Sequence, residues 1–152
     1  MAAGVGAGNL VIDVGAGDGV ITAALVTAGA RVLAVELHPG RARSLHERFA
    51  TVPAVRVVQA DAADLHLPRQ PFRVVANPPF AITTALLRRL LSPASRLQSA
   101  RLLVPAHVAA RWADGGGPGA GRWDIRSAGR VPASAFRPPA PAPVAVLVIG
   151  RR

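Results

Sequence analysis

A short apolar run, Leu10-Val11-Ile12-Asp13-Val14, breaks directly into Gly15-Ala16-Gly17-Asp18-Gly19. That pattern reads as a buried parallel strand followed by a tight strand-to-helix turn. Such a turn exposes bare backbone at the carboxyl edge of an open α/β sheet, where ligands bind. Glycine permits both the turn and the close approach of a ligand.

The alternation continues. Val20 to Ala28 suits a helix ended by Gly29, and Arg31 to Glu36 a second strand. His38-Pro39 opens a helix to Phe49, with proline in a favourable first-turn position. Val55 to Val58 forms a third strand closing at Asp61, and Phe72 to Ala76 a fourth that runs into Asn77-Pro78-Pro79-Phe80. A helix over Ile82–Leu91, a fifth strand over Arg101–Val104 and a short helix to Trp112 follow. This spacing predicts right-handed crossover units in a mostly parallel sheet. Beyond Trp112 the chain reads as a glycine-rich loop (Asp114–Gly121), a strand (Trp123–Val131), an extended proline segment (Arg137–Pro143) and a terminal strand (Val144–Ile149). The 152 residues, 1–152, are expected to form one domain.

Charge is distributed unevenly. All 18 basic residues are arginine. Residues 1–65 hold five arginines and six acids, whereas residues 66–152 hold thirteen arginines and only Asp114 and Asp124 as acids. The net charge of +10 therefore sits in the second half and predicts a polyanionic partner. Arginine forks onto phosphate and stacks on bases. Coding bias accounts for arginine in place of lysine but not for the scarcity of acids. Arg88, Arg89, Arg96, Arg101, Arg111, Arg122, Arg126, Arg130 and Arg137 are candidate phosphate contacts. Trp112 and Trp123 flank the glycine loop and read as packing residues rather than base-stacking ones.

The chain has no cysteine, and its four histidines lack a ligand-like spacing, so no metal site is expected. The opening MAAGVGAGNL lacks the basic start and apolar stretch of a secretory signal, and no run approaches the roughly 20 apolar residues of a membrane span. A cytoplasmic protein is expected.

Gly15, Gly17 and Gly19 follow G-x-G-x-G, not the G-x-G-x-x-G of dinucleotide turns, and without lysine there is no G-x-x-x-x-G-K-[ST] phosphate loop. Glu36, at the end of the second strand, can accept both ribose hydroxyls of a nucleoside; the alternative is a helix-entry charge. Asp61 can accept from an adenine amino group; the alternative is a turn-forming aspartate. In Asn77-Pro78-Pro79-Phe80 the prolines remove two amide donors, so carbonyl oxygens dominate. The Asn77 side-chain oxygen and a neighbouring carbonyl can accept both hydrogens of an aryl amine while Phe80 stacks on the base. That chemistry is positioning for direct displacement. The alternative is an ordinary Asn-Pro turn before a buried phenylalanine.

VIDVGAGDG, AVELHP, VVQADAADL, FRVVANPPF and the closing FRPP…VAVLVIGRR together resemble the Erm family of 23S ribosomal RNA adenine-N6 methyltransferases and the related KsgA-type small-subunit dimethyltransferases. The resemblance spans residues 9–152 and is nearest to the short actinobacterial Erm proteins that lack most of the helical C-terminal domain. It implies a class I methyltransferase, Rossmann-like α/β fold in three α/β/α layers. The sheet would have seven mostly parallel strands and an antiparallel terminal strand. It implies S-adenosyl-L-methionine as cofactor. Gly15, Ala16 and Gly17 would surround its methionine part, Glu36 its ribose, Leu37 its adenine ring, and Asp61 and Ala62 its adenine amine. Asn77, Pro78, Pro79 and Phe80 would receive the target adenine, with Asn77 also facing the cofactor. On the charge distribution, Arg88, Arg89, Arg111, Arg122, Arg126 and Arg137 are the expected contacts to ribosomal RNA, and a monomer is expected. Family activity on the large ribosomal subunit confers resistance to macrolides, lincosamides and streptogramin B.

The sequence departs from the family at three places. The family's N-terminal segment, with its Gln-Asn-Phe motif, is expected to be missing before the first strand. A glycine-proline loop follows Trp112, and Ala140-Pro141-Ala142-Pro143-Val144 replaces the family's Pro-x-Val-Asp-Ser. N-P-P-aromatic motifs also occur in methyltransferases of DNA adenine and of protein glutamine. Those two readings, and that of a non-catalytic RNA-binding module, stay open at this point.

Overall fold

A computed structural model describes residues 4–117, 119 and 121–152. Its seven strands are β1 (Leu10–Val14), β2 (Arg31–Glu36), β3 (Val55–Gln59), β4 (Phe72–Ala76), β5 (Leu97–Pro105), β6 (Trp123–Val131) and β7 (Val144–Arg151). They form one sheet in the order β3-β2-β1-β4-β5-β7-β6. β1 to β5 run parallel, and β7 lies antiparallel between β5 and β6. Four helices, α1 (Val20–Thr27), α2 (Pro39–Arg48), α3 (Thr83–Leu90) and α4 (Ala106–Ala113), complete the class I methyltransferase architecture.

Side chains of a strand alternate between the faces of the sheet, and the apolar clusters show both faces covered. Val11 and Val32 pack with Leu25 of α1, while Ala34 packs with Leu45 of α2. Ile12, Val14 and Val35 point the other way, into a cluster with Leu86, Leu87 and Leu90 of α3 and Trp112 of α4. Three layers result.

The local signals work as their chemistry predicts. Pro39 starts α2, and the His38 side chain accepts from the Gly40 and Arg41 amides at 3.1 and 3.3 Å. Gly29, at φ 88°, adopts the left-handed conformation that ends α1. Trp112 and Trp123 are buried, at 3% and 1% exposure, in keeping with a packing role.

One boundary differs appreciably from expectation. β5 begins at Leu97, not Arg101, because Phe72 of β4 pairs with Leu97 and Ser99 pairs with Gly150 of β7. Polar Gln98 and Ser99 hide that stretch from an apolar-run criterion. β6 and β7 pair along their whole length apart from a bulge at Gly129, whose φ is 75°. Pro118 and Ala120, within the expected glycine loop, lie outside the described residues. No helix among the described residues is long and apolar enough to cross a membrane.

Candidate active site

Strand order places the carboxyl ends of β2, β1 and β4 side by side, with β1 in the middle. The glycine turn therefore emerges between Glu36 and Asn77. The Gly15 and Ala16 amides both donate to the Val35 carbonyl, at 2.8 and 3.1 Å, which bends the chain sharply off β1. Gly15 and Gly17 hold φ angles of 70° and 58°, a left-handed conformation that costs other residues about 1–2 kcal/mol.

Glu36 is tied to this turn. Its Oε1 accepts from the Gly17 amide at 3.1 Å and from Arg41 Nε at 3.3 Å, and its Oε2 accepts from the His38 amide at 2.9 Å. Burial alone raises the pKa of this carboxyl. The His38 and Gly17 amides and the Arg41 guanidinium outweigh that effect and hold it below the usual glutamate value.

The tetrapeptide after β4 stands against the other side of the turn. A Cβ placed on Gly15 would lie 3.1 Å from Pro79 Cδ, 3.2 Å from the Asn77 carbonyl oxygen and 3.4 Å from Pro78 Cα. Only glycine lets the two segments meet so closely. The Pro79 carbonyl accepts from the Ile82 amide at 3.2 Å and the Thr83 hydroxyl at 3.3 Å, so both its lone pairs are engaged. Phe80 opens a single 3-10 turn, Phe80–Ile82, that leads into α3.

These groups line one open cleft of about 520 Å³. Gly15, Gly17, Glu36 and Arg41 form one wall, Asn77, Pro78, Pro79 and Phe80 the second, and Phe136 with Pro138–Pro141 and Val144 a third. Sequence reasoning does not mark Phe136, the proline segment or Arg41 as cleft residues, and the structure adds them. The FRPP stretch was legible as part of a family pattern, but nothing in its local composition marks it as facing Asn77.

Other expected site residues lie apart from this lining. Ala16 is buried behind the turn, Leu37 is 59% exposed beyond Glu36, and Ala62 is packed in the α3-side core. Asp61 Oδ1 accepts from the Ala63 amide at 2.9 Å, capping a 3-10 turn (Ala62–Asp64), so the turn-forming reading of this aspartate describes one of its oxygens. Asp13, just below the glycine turn, is fully buried. Its Oδ2 accepts from the Thr22 hydroxyl at 2.7 Å, its Oδ1 has no partner among the described residues, and burial raises its pKa to about 6.

The arginines selected from the sequence fall on several surfaces. Arg88 and Arg89 line a groove beside α3, and Arg126 lines a shallow pocket with Arg73 and Arg101 on β4 to β6. Arg111 is in the last turn of α4, Arg122 directly precedes β6, and Arg137 follows Phe136 in the cleft wall; all three are exposed.

Comparison with known proteins bears on this arrangement. Residues 5–140 match the family model described as ribosomal RNA adenine dimethylase. The chain is 40% identical to a mycinamicin-resistance protein, MyrB, of Micromonospora griseorubida over 93% of its own length and 47% of the relative's. It is 35% identical to a ribosomal RNA small subunit methyltransferase A of a Synechococcus strain over 85% of its length and 51% of that protein's. It thus spans about half the length of the curated relatives it matches. A crystal structure of the 23S rRNA methyltransferase ErmE superposes with a TM-score of 0.86 at 24% identity, covering 99% of this chain and 64% of that one, a likeness of fold. The chain belongs to the ribosomal RNA adenine dimethylase family.

Proposed function

We propose that this chain, as one domain and a monomer in the cytoplasm, transfers a methyl group from S-adenosyl-L-methionine to the N6 amine of an adenine in ribosomal RNA. One observation carries the reading: the glycine turn with Glu36 and the Asn77–Phe80 tetrapeptide line the same cleft. The relatives' names support the substrate class.

The residues fit the cofactor. A Cβ on Gly17 would meet nothing nearer than 3.8 Å, the bare backbone of Gly15 and Gly17 borders the cleft, and Glu36, its pKa held low, stands ionised at the edge for a ribose diol. Leu37, Asp61 and Ala62 are assigned to the adenine end, where Asp61 keeps one carboxylate oxygen outside the cap. When bound, S-adenosyl-L-methionine supplies an electrophilic methyl group on a sulfonium.

The chain's own groups do the rest by positioning. Asn77 offers its side-chain oxygen to one amino hydrogen of the target base. With the Pro79 carbonyl occupied by Ile82 and Thr83, the Pro78 carbonyl is the neighbour left for the other hydrogen. Both bonds draw the nitrogen lone pair out of ring conjugation and toward the methyl donor. Phe80 and Phe136 both line the cleft and offer aromatic faces to the base. No general base is required, because the nitrogen becomes strongly acidic once methylated and then gives its extra proton to water.

The finer reading is 23S rRNA as substrate and resistance to macrolides, lincosamides and streptogramin B as the outcome. The identity to the mycinamicin-resistance protein over 93% of the chain supports it. The test supplies methyl-labelled cofactor with protein-free 23S rRNA, 16S rRNA, adenine-bearing duplex DNA and release factor. Label in 23S N6-methyladenine is expected; label in DNA or protein alone contradicts the reading.

A further inference from the structure

A second concavity, of about 600 Å³, lies between α3 and the segment that leads from the Ala62–Asp64 turn back to β4, and it shares no residue with the active-site cleft. Arg69 and His66 enter it from that segment, Arg88 and Arg89 from the last turn of α3, and Ser92 from the turn that follows. Among the described residues, no acidic one lines it.

A helix C-terminus by itself favours basic residues, through the negative end of its dipole. That effect accounts for Arg88 and Arg89 taken alone. It does not account for Arg69, which comes from a non-helical segment facing them. Arg89 is half-buried, and its Nε donates to the Leu65 carbonyl, which fixes the guanidinium in the groove wall. Among the described residues the ion pair present is Arg41 with Glu36, remote from this groove. Three arginines thus line one groove without an acidic residue beside them, an arrangement that a bound anion would offset.

We propose that this groove docks a phosphodiester segment of RNA, apart from the cleft that receives the target base. The inference rests on the reading of RNA as substrate and adds where its backbone is held. α3 connects the two sites: Thr83 begins it just past Phe80, and Arg88 stands about 7.5 Å farther along its axis at 1.5 Å per residue. A strand whose adenine enters the cleft therefore passes within reach of the groove. Arginine suits such a contact because its planar fork meets two phosphate oxygens at once.

The experiment measures binding of a protein-free rRNA fragment as a function of salt for the wild-type chain and for Arg69→Ala/Arg88→Ala. Both residues are exposed, and Arg89, with its backbone bond, is left in place. Arg43→Ala/Arg56→Ala, exposed on α2 and β3, removes the same charge elsewhere. Loss of two phosphate contacts is expected to flatten the slope of log K against log salt by about 1.4. S-adenosylhomocysteine affinity should not change, and Arg69→Lys/Arg88→Lys should restore most of the slope. The proposal is overturned if the groove pair and the control pair change the slope equally, which would mean diffuse attraction. It is also overturned if the groove pair loses cofactor affinity in parallel, which would mean a damaged fold. Failure of the wild-type chain to bind RNA, with cofactor binding intact, would remove the RNA reading itself and this inference with it.

Discussion

Arg41 Nε stands 3.3 Å from Glu36 Oε1, the same oxygen that accepts the Gly17 amide at 3.1 Å. With the His38 amide on Oε2, three of the roughly four lone-pair sites of the carboxylate are occupied. A ribose diol requires two. The Gly17 and His38 bonds belong to the backbone, whereas the Arg41 side chain is 59% exposed, so Arg41 is the partner that yields. Arg41→Ala should tighten S-adenosylhomocysteine binding by about two- to fivefold, the worth of an exposed ion pair. Calorimetry with a 2′,3′-dideoxy analogue should show no such gain. A loss of about tenfold, ~1.4 kcal/mol, would mean that the guanidinium itself holds the cofactor.

Gly15 and Gly17 make a paired test of the turn. Alanine at either position meets a left-handed backbone and costs about 1–2 kcal/mol. At Gly17 the nearest atom to a new Cβ is 3.8 Å away, whereas at Gly15 it is Pro79 Cδ at 3.1 Å. Gly15→Ala should therefore lower the urea midpoint more than Gly17→Ala and also displace the tetrapeptide. Equal midpoints would show that the close packing of Gly15 on Pro79 carries no weight.

Asn77→Ala removes one acceptor for the amino group while leaving the glycine turn and Glu36 intact. Turnover should fall by about 10²–10³, the usual effect of deleting one transition-state hydrogen bond, with cofactor affinity within a few fold. Phe136→Ala should raise the KM for RNA, since loss of one stacking face costs ~1–3 kcal/mol. Near-normal turnover in Asn77→Ala would remove Asn77 from the base-receiving role, and an unchanged KM would do the same for Phe136.

Asp13 gives the fold a pH dependence. Burial raises its pKa from 3.8 to about 6, so the folded protein holds this proton more tightly than the unfolded chain does. Stability from this group is complete below about pH 4 and is lost as pH rises through about 6. Over that window the loss is of the order of 3 kcal/mol. Asp13→Asn keeps an oxygen for the Thr22 hydroxyl and removes the titration. Its melting temperature, followed from pH 4 to pH 7, should fall less than that of the wild-type chain; parallel curves would contradict the assignment.

The first half of the fold was legible because buried parallel strands are continuous apolar runs and because Gly15, Gly29 and Pro39 mark turns by their backbone limits. The start of β5 was not, since Gln98 and Ser99 look like loop residues until pairing with β4 and β7 decides their state. In the site, Glu36 and Asn77 stood out because each ends a strand in a recognisable motif. Arg41 did not, being one of several exposed arginines on α2. Phe136 and the prolines reach the cleft from far along the chain, and which wall they form depends on β7 lying between β5 and β6.

In the proposed reaction one cleft holds the methyl donor and the acceptor base together. The most direct test is calorimetric titration with a compound that joins the adenosyl–amino acid portion of the cofactor to the N6 atom of a second adenosine. The joined compound is expected to bind about 10²–10⁴ times more tightly than its cofactor half, as covalent linkage of two occupied sites allows. Asn77→Ala should remove most of that excess. An affinity no greater than that of the cofactor half alone would show that the glycine turn and the tetrapeptide do not serve one reaction.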